Sequence, residues 1–375
     1  MRVVYDLRVL TGAMHGIARY GLGLLRGILG QATRRGMDLE LTVLLRRPED
    51  ADLLPADPRL TTVFCDLEPY GLKAQLKLPL VLKGLKPDLY HFPSYAPPVL
   101  WKGPVLMTVH DLIHLRFPQH HGYKHRLFYQ MVVGPAARKA RTVFTVSQFS
   151  RRDLIELLGV PPLKVAVTPC GVDAAFRPPT AEERVQITYL GLPPRYILGV
   201  GNPRPHKNLA ALVEAHRRLR RELSDPVEAV PPLVLVGVKE GELEGDLEGV
   251  GEDRGVITRP HLEDADLALA YGAAEMVVVP SLYEGFGIPA LEAMACGAPV
   301  VAARRASLPE VVGQAGLLCE PDPASLARAM AQVLQEFGLR ARMREEGLAR
   351  AAGFTWEQAG ATALDVYYKA LGGRA

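Results

Sequence analysis

Asparagine is almost missing from these 375 residues: Asn202 and Asn208 are the only two, and arginine far outnumbers lysine. The depletion fits a thermophilic source, and a biased genomic base composition produces it equally. Cysteine is scarce too. Cys65, Cys170, Cys296 and Cys319 stand apart with no C-x-x-C spacing, which argues against zinc and against a disulfide framework and leaves reduced, buried thiols as the expectation. No apolar run approaches the length of a bilayer crossing, and Met1-Arg-Val-Val-Tyr-Asp6 reads as a first strand rather than a secretory leader, so a soluble, cytoplasmic protein is expected. Charge of either sign is not in large excess. A formal net charge of +3, with no aromatic-basic motif of an RNA-binding module, gives no reason to expect a nucleic-acid partner.

What is present is a recurring α/β grammar. The length suits two domains with their own cores, and 48% of residues are hydrophobic. Strands are expected at 3–6, 39–45, 61–64, 89–92, 105–109, 142–146 and 164–168, separated by polar or helical stretches. Pro178, Pro179 and the charged run 181–184 read as a linker, so a first domain covers 1–178. The pattern restarts in 190–355 with strands at 196–200, 233–236, 256–258, 276–279, 300–303 and 317–319. A helix over 356–371 opens the last segment, 356–375. The fold class is α/β, with two doubly wound parallel sheets.

The stretch Met276 to Pro299 organises the rest. Met276-Val-Val-Val279 has the β-branched character of a buried parallel strand, Pro280-Ser281 ends it, and Gly285 and Gly287 leave the backbone bare on either side of Phe286. Pro289 sits where the first turn of a helix tolerates a missing N–H. Strand, glycine loop and helix in that order aim backbone N–H groups at the carboxyl edge of a sheet, where anionic and hydroxylated ligands bind. Glu284 leads the loop, and Glu292 follows eight residues later in the helix. Alone they could be a solvated loop residue and a carboxylate near a helix N-terminus.

Embedded in P-S-x-x-E-G-F-G-x-P-x-L-E-A-M-A-C-G-x-P-V-V, from Pro280 to Val301, they resemble the signature of the family 4 retaining glycosyltransferases, which have the GT-B fold. The resemblance continues through Ser307-Leu-Pro-Glu310, Gly313 and Asp322 and reaches upstream to the loop 199–209, so it covers essentially the whole chain. It implies two Rossmann-like domains facing an interdomain cleft and a final helix that returns to the N-terminal domain. It also implies transfer of a hexose from a nucleoside diphosphate sugar, with retention and without a metal. Glu284 would hold sugar hydroxyls and Glu292 the nucleoside ribose. Lys207, in Gly201-Asn-Pro-Arg-Pro-His-Lys-Asn208, falls on the family's diphosphate lysine; Arg204 is a candidate second cation, because Asn202 stands where many relatives carry arginine. Lys207, Glu284 and His110 are the candidate catalytic residues. Gly16, Arg204, Lys207, Gly285, Phe286, Gly287 and Glu292 are the candidate donor-binding set.

His110 closes the apolar run 105–109 and resembles the family histidine at the reacting centre; from the residues alone, without that resemblance, it reads as a satisfied core histidine. Gly16, in the turn from Gly12 to Gly16, either lets a helix N-terminus approach the ligand or makes a tight β–α turn. His114, His120, His121 and His125 lack a supporting cysteine or an H-E-x-x-H pattern, and Asp264-Ala-Asp266 opens a helix where acids favour the dipole, so no metal site is expected. Segment 122–141 mixes Lys124, Arg126, Arg138, Lys139 and Arg141 with Tyr123, Phe128 and Tyr129. It reads either as a peripheral contact with the inner face of an anionic membrane or as a solvated helix packed by its aromatic side.

Expected partners are therefore a nucleotide-sugar donor and a glycan or lipid-linked acceptor. GDP-mannose leads as donor, because the loop variant resembles mannosyl- and rhamnosyl-type transferases of bacterial surface polysaccharides; a UDP-glucose-type donor is the alternative. Beside the transferase stand two rivals, a GT-B epimerase and a nucleotide-sugar-binding protein without turnover.

Overall fold

The computed structural model describes residues 1–10, 15–223, 230–239, 241–242 and 255–373, and of 120–123 only the backbone. The turn residues 11–14, including Gly12, thus lie outside the described residues, as do the side chains of His120, His121 and Tyr123. The chain forms two compact units, one of Met1–Gly171 with Thr355–Ala375 and one of Val172–Phe354. The first ends ahead of residue 178. The charged run that read as a linker folds in the second unit, where Thr180 and Glu183 cap the short helix Ala181–Val185 reciprocally.

The first unit holds β1 (Arg2–Asp6), β2 (Glu40–Leu45), β3 (Leu60–Phe64), β4 (Leu89–Phe92), β5 (Val105–Thr108), β6 (Thr142–Thr145) and β7 (Val165–Val167). They pair in parallel in the order β3-β2-β1-β4-β5-β6-β7. The second unit holds β8 (Ile197–Val200), β9 (Leu233–Val236), β10 (Val256–Arg259), β11 (Met276–Val279), β12 (Val300–Ala303) and β13 (Leu317–Cys319), also parallel, in the order β10-β9-β8-β11-β12-β13. Both sheets are doubly wound, and their strands fall on the runs the sequence marks. Central strands such as β4, β11 and β12 are buried throughout, as helix-covered parallel strands must be.

Each unit has its own apolar cores. In the first, Val4, Leu44, Tyr90 and Phe92 gather on Leu78 and Leu82 of the helix Leu72–Leu85, and Met107, Val143 and Leu154 form a second cluster. In the second, Ile197, Leu235 and Val278 pack with Leu212 and Met330. The four cysteines form no disulfide, and Cys65, Cys170 and Cys296 are buried. Burial pushes the Cys296 thiol up to about 12, with the Glu292 carboxylate adding to it.

The helix Trp356–Ala370, N-capped by Thr355, packs along the helix Gly16–Arg34 of the same unit. The approach is close enough that a Cβ on Gly27 or Gly360 would run into the opposing backbone. Tyr367 Oη lies 2.6 Å from His91 Nδ1 in a fully buried contact, and burial pulls His91 down to about 3, so the ring is neutral.

Candidate active site

In a doubly wound sheet the ligand crevice lies where neighbouring strands send their connections in opposite directions. In the second unit that reversal falls between β8 and β11, and the two loops that leave their carboxyl ends carry the expected residues. From β8 the chain passes Gly201 into a 3-10 turn, Pro205–Lys207, and then the helix Leu209–Glu222. From β11 it passes Glu284 to the helix Ile288–Ala295, which has Pro289 in its first turn. Gly287, the residue before that helix, has φ +104°, and a Cβ there would also press on Leu308 at 2.8 Å.

The loops meet at a charge pair. Lys207 Nζ donates to Glu284 Oε1 over 2.7 Å, and Ser281 Oγ donates to the same oxygen over 2.7 Å. The pair is only partly withdrawn from water, with 18% of the Lys207 side chain and 11% of the Glu284 side chain exposed. An ammonium has three donors and a carboxylate about four lone-pair sites, so this geometry leaves capacity on both partners for a phosphate or a sugar hydroxyl.

Backbone bracing holds the pair in place. Leu282 N donates to His206 O over 2.8 Å, tying the two loops together. Asn208, in the left-handed region at φ +56°, donates from Nδ2 to Pro280 O (3.1 Å) and to Pro321 O (2.8 Å). Ser307 Oγ lies 2.8 Å from Glu284 O and 2.7 Å from Phe286 O. Neither the Asn208 and Ser307 side chains nor the Ser281 hydroxyl was assigned a role in the site from sequence. The available signals were the tolerance of asparagine for left-handed backbone and the serine beside Pro280.

Other expected donor-site residues fall in distinct settings. Arg204 is exposed and, among the described residues, its side chain has no recorded hydrogen-bond or ion-pair partner. Gly285 borders the pair, while Phe286 is buried edge-on to Phe354 at 5.7 Å. Glu292, 6% exposed, accepts from Tyr271 Oη at 3.3 Å and makes no recorded contact with Lys207 or Glu284. Asp264 and Asp266 lie in the first turn of the helix Asp264–Ala273, and the described residues hold no cluster of three or more metal-ligating side chains.

The first unit has its reversal between β1 and β4. His110 lies near its carboxyl edge, two residues past β5 rather than inside it, because Thr108 N already turns to Ser94 O while Val109 N keeps to Phe144 O. His110 Nε2 donates to Pro93 O over 3.1 Å, which leaves Nδ1 as the acceptor side of the ring, and the ring meets Tyr20 edge-on at 4.7 Å. Burial pulls His110 down to about 4, with the Pro93 carbonyl opposing and His15 adding, so the imidazole is neutral near pH 7. Gly16 is the exposed first residue of its helix, and His15 caps that helix by accepting from Ala18 N at 3.4 Å.

Two family profiles match the chain: one described as Glycosyltransferase Family 4 over residues 25–176, and one described as Glycosyl transferases group 1 over 194–336. The chain is 31% identical over 311 residues to the O-antigen chain mannosyltransferase B of Escherichia coli, covering 80% of this chain and 79% of that protein. It is 28% identical over 348 residues to the serotype-specific mannosyltransferase WbdA of Escherichia coli, covering 86% of this chain but only 42% of WbdA. In structure it is similar to sucrose-phosphate synthase from Thermosynechococcus elongatus, with a TM-score of 0.76 at 23% identity, covering 100% of this chain and 99% of that one. It is also similar to Anabaena HepE in complex with UDP and glucose, with a TM-score of 0.73 at 20% identity over 98% and 100% of the two chains.

Proposed function

The chain belongs to glycosyltransferase family 4, and from that premise we propose that it moves a hexose from a nucleoside diphosphate sugar to an acceptor hydroxyl with retention of anomeric configuration. The observation that carries this reading is the 2.7 Å Lys207–Glu284 pair at the reversal between β8 and β11. The anomeric carbon–oxygen bond to the diphosphate breaks and a bond to the acceptor oxygen forms. Lys207 meets the charge that grows on the departing diphosphate, with the backbone amides after Glu284 assisting, a fixed arrangement of the oxyanion-hole kind, while Arg204 binds the diphosphate in ground and transition state alike. Glu284 directs its remaining lone pairs to sugar hydroxyls, and Glu292 serves the ribose. The acceptor's proton passes to the leaving phosphate oxygen, so neither carboxylate has to act as a nucleophile and no metal is called on. His110, neutral, contacts the transferred sugar.

Mannose is our first choice, supported by the mannosyltransferases among the relatives, with GDP-mannose as donor and a glycan or lipid-linked acceptor. A UDP-glucose-type donor is the second reading, favoured by the structural likeness to HepE, which was solved with UDP and with UDP-glucose. Incubation with each donor and an acceptor pool, followed by nucleotide release and the anomeric proton signals of the product, tests both. Release of GDP with an α-linked mannoside is expected. Donor binding without release would make the protein a non-catalytic binder, and a changed sugar on the nucleotide would make it an epimerase. Thermal shift identifies the base independently, since a ligand at about a hundredfold excess over its Kd stabilises by about 2.7 kcal/mol.

A further inference from the structure

The helix Leu72–Leu85 is apolar on two faces, and the unit covers only one. Ala74, Leu78 and Leu82 are buried against the sheet, whereas Leu72, Leu76 and Leu80, spaced four apart on the opposite face, are 78%, 57% and 69% exposed. The adjoining loop extends the patch: Val99 N donates to Gln75 Oε1 over 2.9 Å, and Val99 and Leu100 are themselves exposed. A contiguous apolar surface of this kind marks an interaction site rather than scattered surface leucines.

Its charge is one-sided. Lys73, Lys77, Lys83, Lys86 and Lys102 are five of the chain's eleven lysines, and Asp88 is the only acidic residue between Glu68 and Asp111. All five lysines are exposed, and among the described residues none is recorded in an ion pair. The acids at the margins already face arginines, Asp66 and Glu68 with Arg46 and Asp88 with Arg2. Beside the loop, Lys102, Lys139 and Arg141 rim a hollow of about 270 Å³.

We propose that this face, helix 72–85 with loop 97–102, docks on an anionic lipid bilayer, the leucines entering the acyl boundary while the lysines meet the headgroups. A second copy of the chain fits it less well, because a two-fold pairing through the leucine stripe would set the lysine-rich faces against each other. Segment 122–141 is the weaker candidate: Tyr129 is buried and stacks on Tyr95 at 5.7 Å, so its aromatic side serves the core.

Vesicle flotation tests the assignment, using phosphatidylcholine alone and phosphatidylcholine with about one third phosphatidylglycerol. The full chain is expected to float with the anionic vesicles only. Leu72→Gln/Leu76→Gln/Leu80→Gln and Lys73→Glu/Lys77→Glu should each weaken that binding by at least about tenfold with the circular dichroism spectrum unchanged, and Lys124→Glu/Arg126→Glu should not. The proposal is overturned if wild type ignores charged lipid or if the leucine variant floats as wild type does. It is equally overturned if the 124/126 variant alone loses binding, or if the leucine variant only dissolves a dimer in sedimentation velocity. Flotation needs no turnover, so the result is independent of the transfer reaction assigned above.

Discussion

The two sheets turn at equivalent places and fill those places differently. Beside β1, Asp6 and Arg8 form a two-pronged pair at 2.8 and 2.7 Å, sealed by Tyr90 Oη on Asp6 at 2.6 Å and by the Leu67 carbonyl on Arg8 at 2.8 Å. Both side chains are essentially inaccessible, at 0% and 1%. Burial alone would lower the Arg8 guanidinium, yet Asp6 outweighs it and holds the group firmly charged. Beside β8, Lys207 and Glu284 share a single contact within reach of water. A guanidinium fork suits a pair that is never opened, and a flexible ammonium suits one that also serves a ligand. The same topology thus carries a closed pair that supports the fold and an open pair available for chemistry.

Breaking the closed pair should have the largest effect. Arg8→Met leaves the Asp6 carboxylate buried without its partner and is expected to cost about 3–5 kcal/mol in urea unfolding. Adding Asp6→Asn should recover much of that loss, since the orphaned charge disappears. A change in unfolding free energy under about 1 kcal/mol for Arg8→Met would mean the pair is not the support described here.

The open pair should respond in the opposite sense. Lys207→Ala and Glu284→Ala are each expected to reduce kcat by at least about a hundredfold while the thermal midpoint moves little, the scale for losing one transition-state contact. Stability falling in step with activity would put Lys207–Glu284 in the same class as Asp6–Arg8. Measuring kcat and unfolding on the same samples separates the two.

How far the sequence could be read follows the range of the interactions. The strands were legible because a buried parallel strand is encoded by four or five consecutive apolar residues, as in Met276–Val279 and Leu233–Val236. The Lys207 and Glu284 loops were legible because each is a local strand-loop-helix pattern. The bracing was not: Asn208 reaches carbonyls 72 and 113 residues away, and no local pattern says where that amide will point. Asp6 and Arg8 lie two residues apart, but their burial depends on Tyr90 and Leu67. The bare face of helix 72–85 was illegible for a different reason: with leucines on both faces, periodicity cannot tell the covered side from the exposed one.

Acid sharpens the contrast from the side of the first unit. With His110 held at about 4 against an ordinary 6.5, the unfolded chain binds a proton in that interval that the folded chain refuses. This contribution to stability is complete above pH 6.5 and is lost as the pH falls towards 4. Each such histidine adds a slope of up to about 1.4 kcal/mol per pH unit in that window. His110→Gln should flatten the slope by that amount in urea titrations run across it, whereas removing the exposed Arg204 guanidinium, which stays charged throughout the window, should leave it unchanged. An unaltered slope in His110→Gln would mean the ring is not held neutral by burial.

The smallest effect is expected at Arg204, and it tests whether the open site is still open beyond the pair itself. The side chain is exposed and has no recorded partner among the described residues, so removing it should cost the fold nothing. Whatever it contributes must arise when a diphosphate is bound, and a solvated guanidinium on a phosphate gives about 1 kcal/mol, screened by salt. Arg204→Ala should therefore raise KM for the donor about fivefold at low ionic strength and less at high, with kcat nearly unchanged, the signature of binding shared by ground and transition states. A loss confined to kcat would move Arg204 to the reacting centre beside Lys207. No change at any salt would leave Lys207 and the backbone amides to hold the diphosphate, and in that case Asn202→Arg should tighten donor binding.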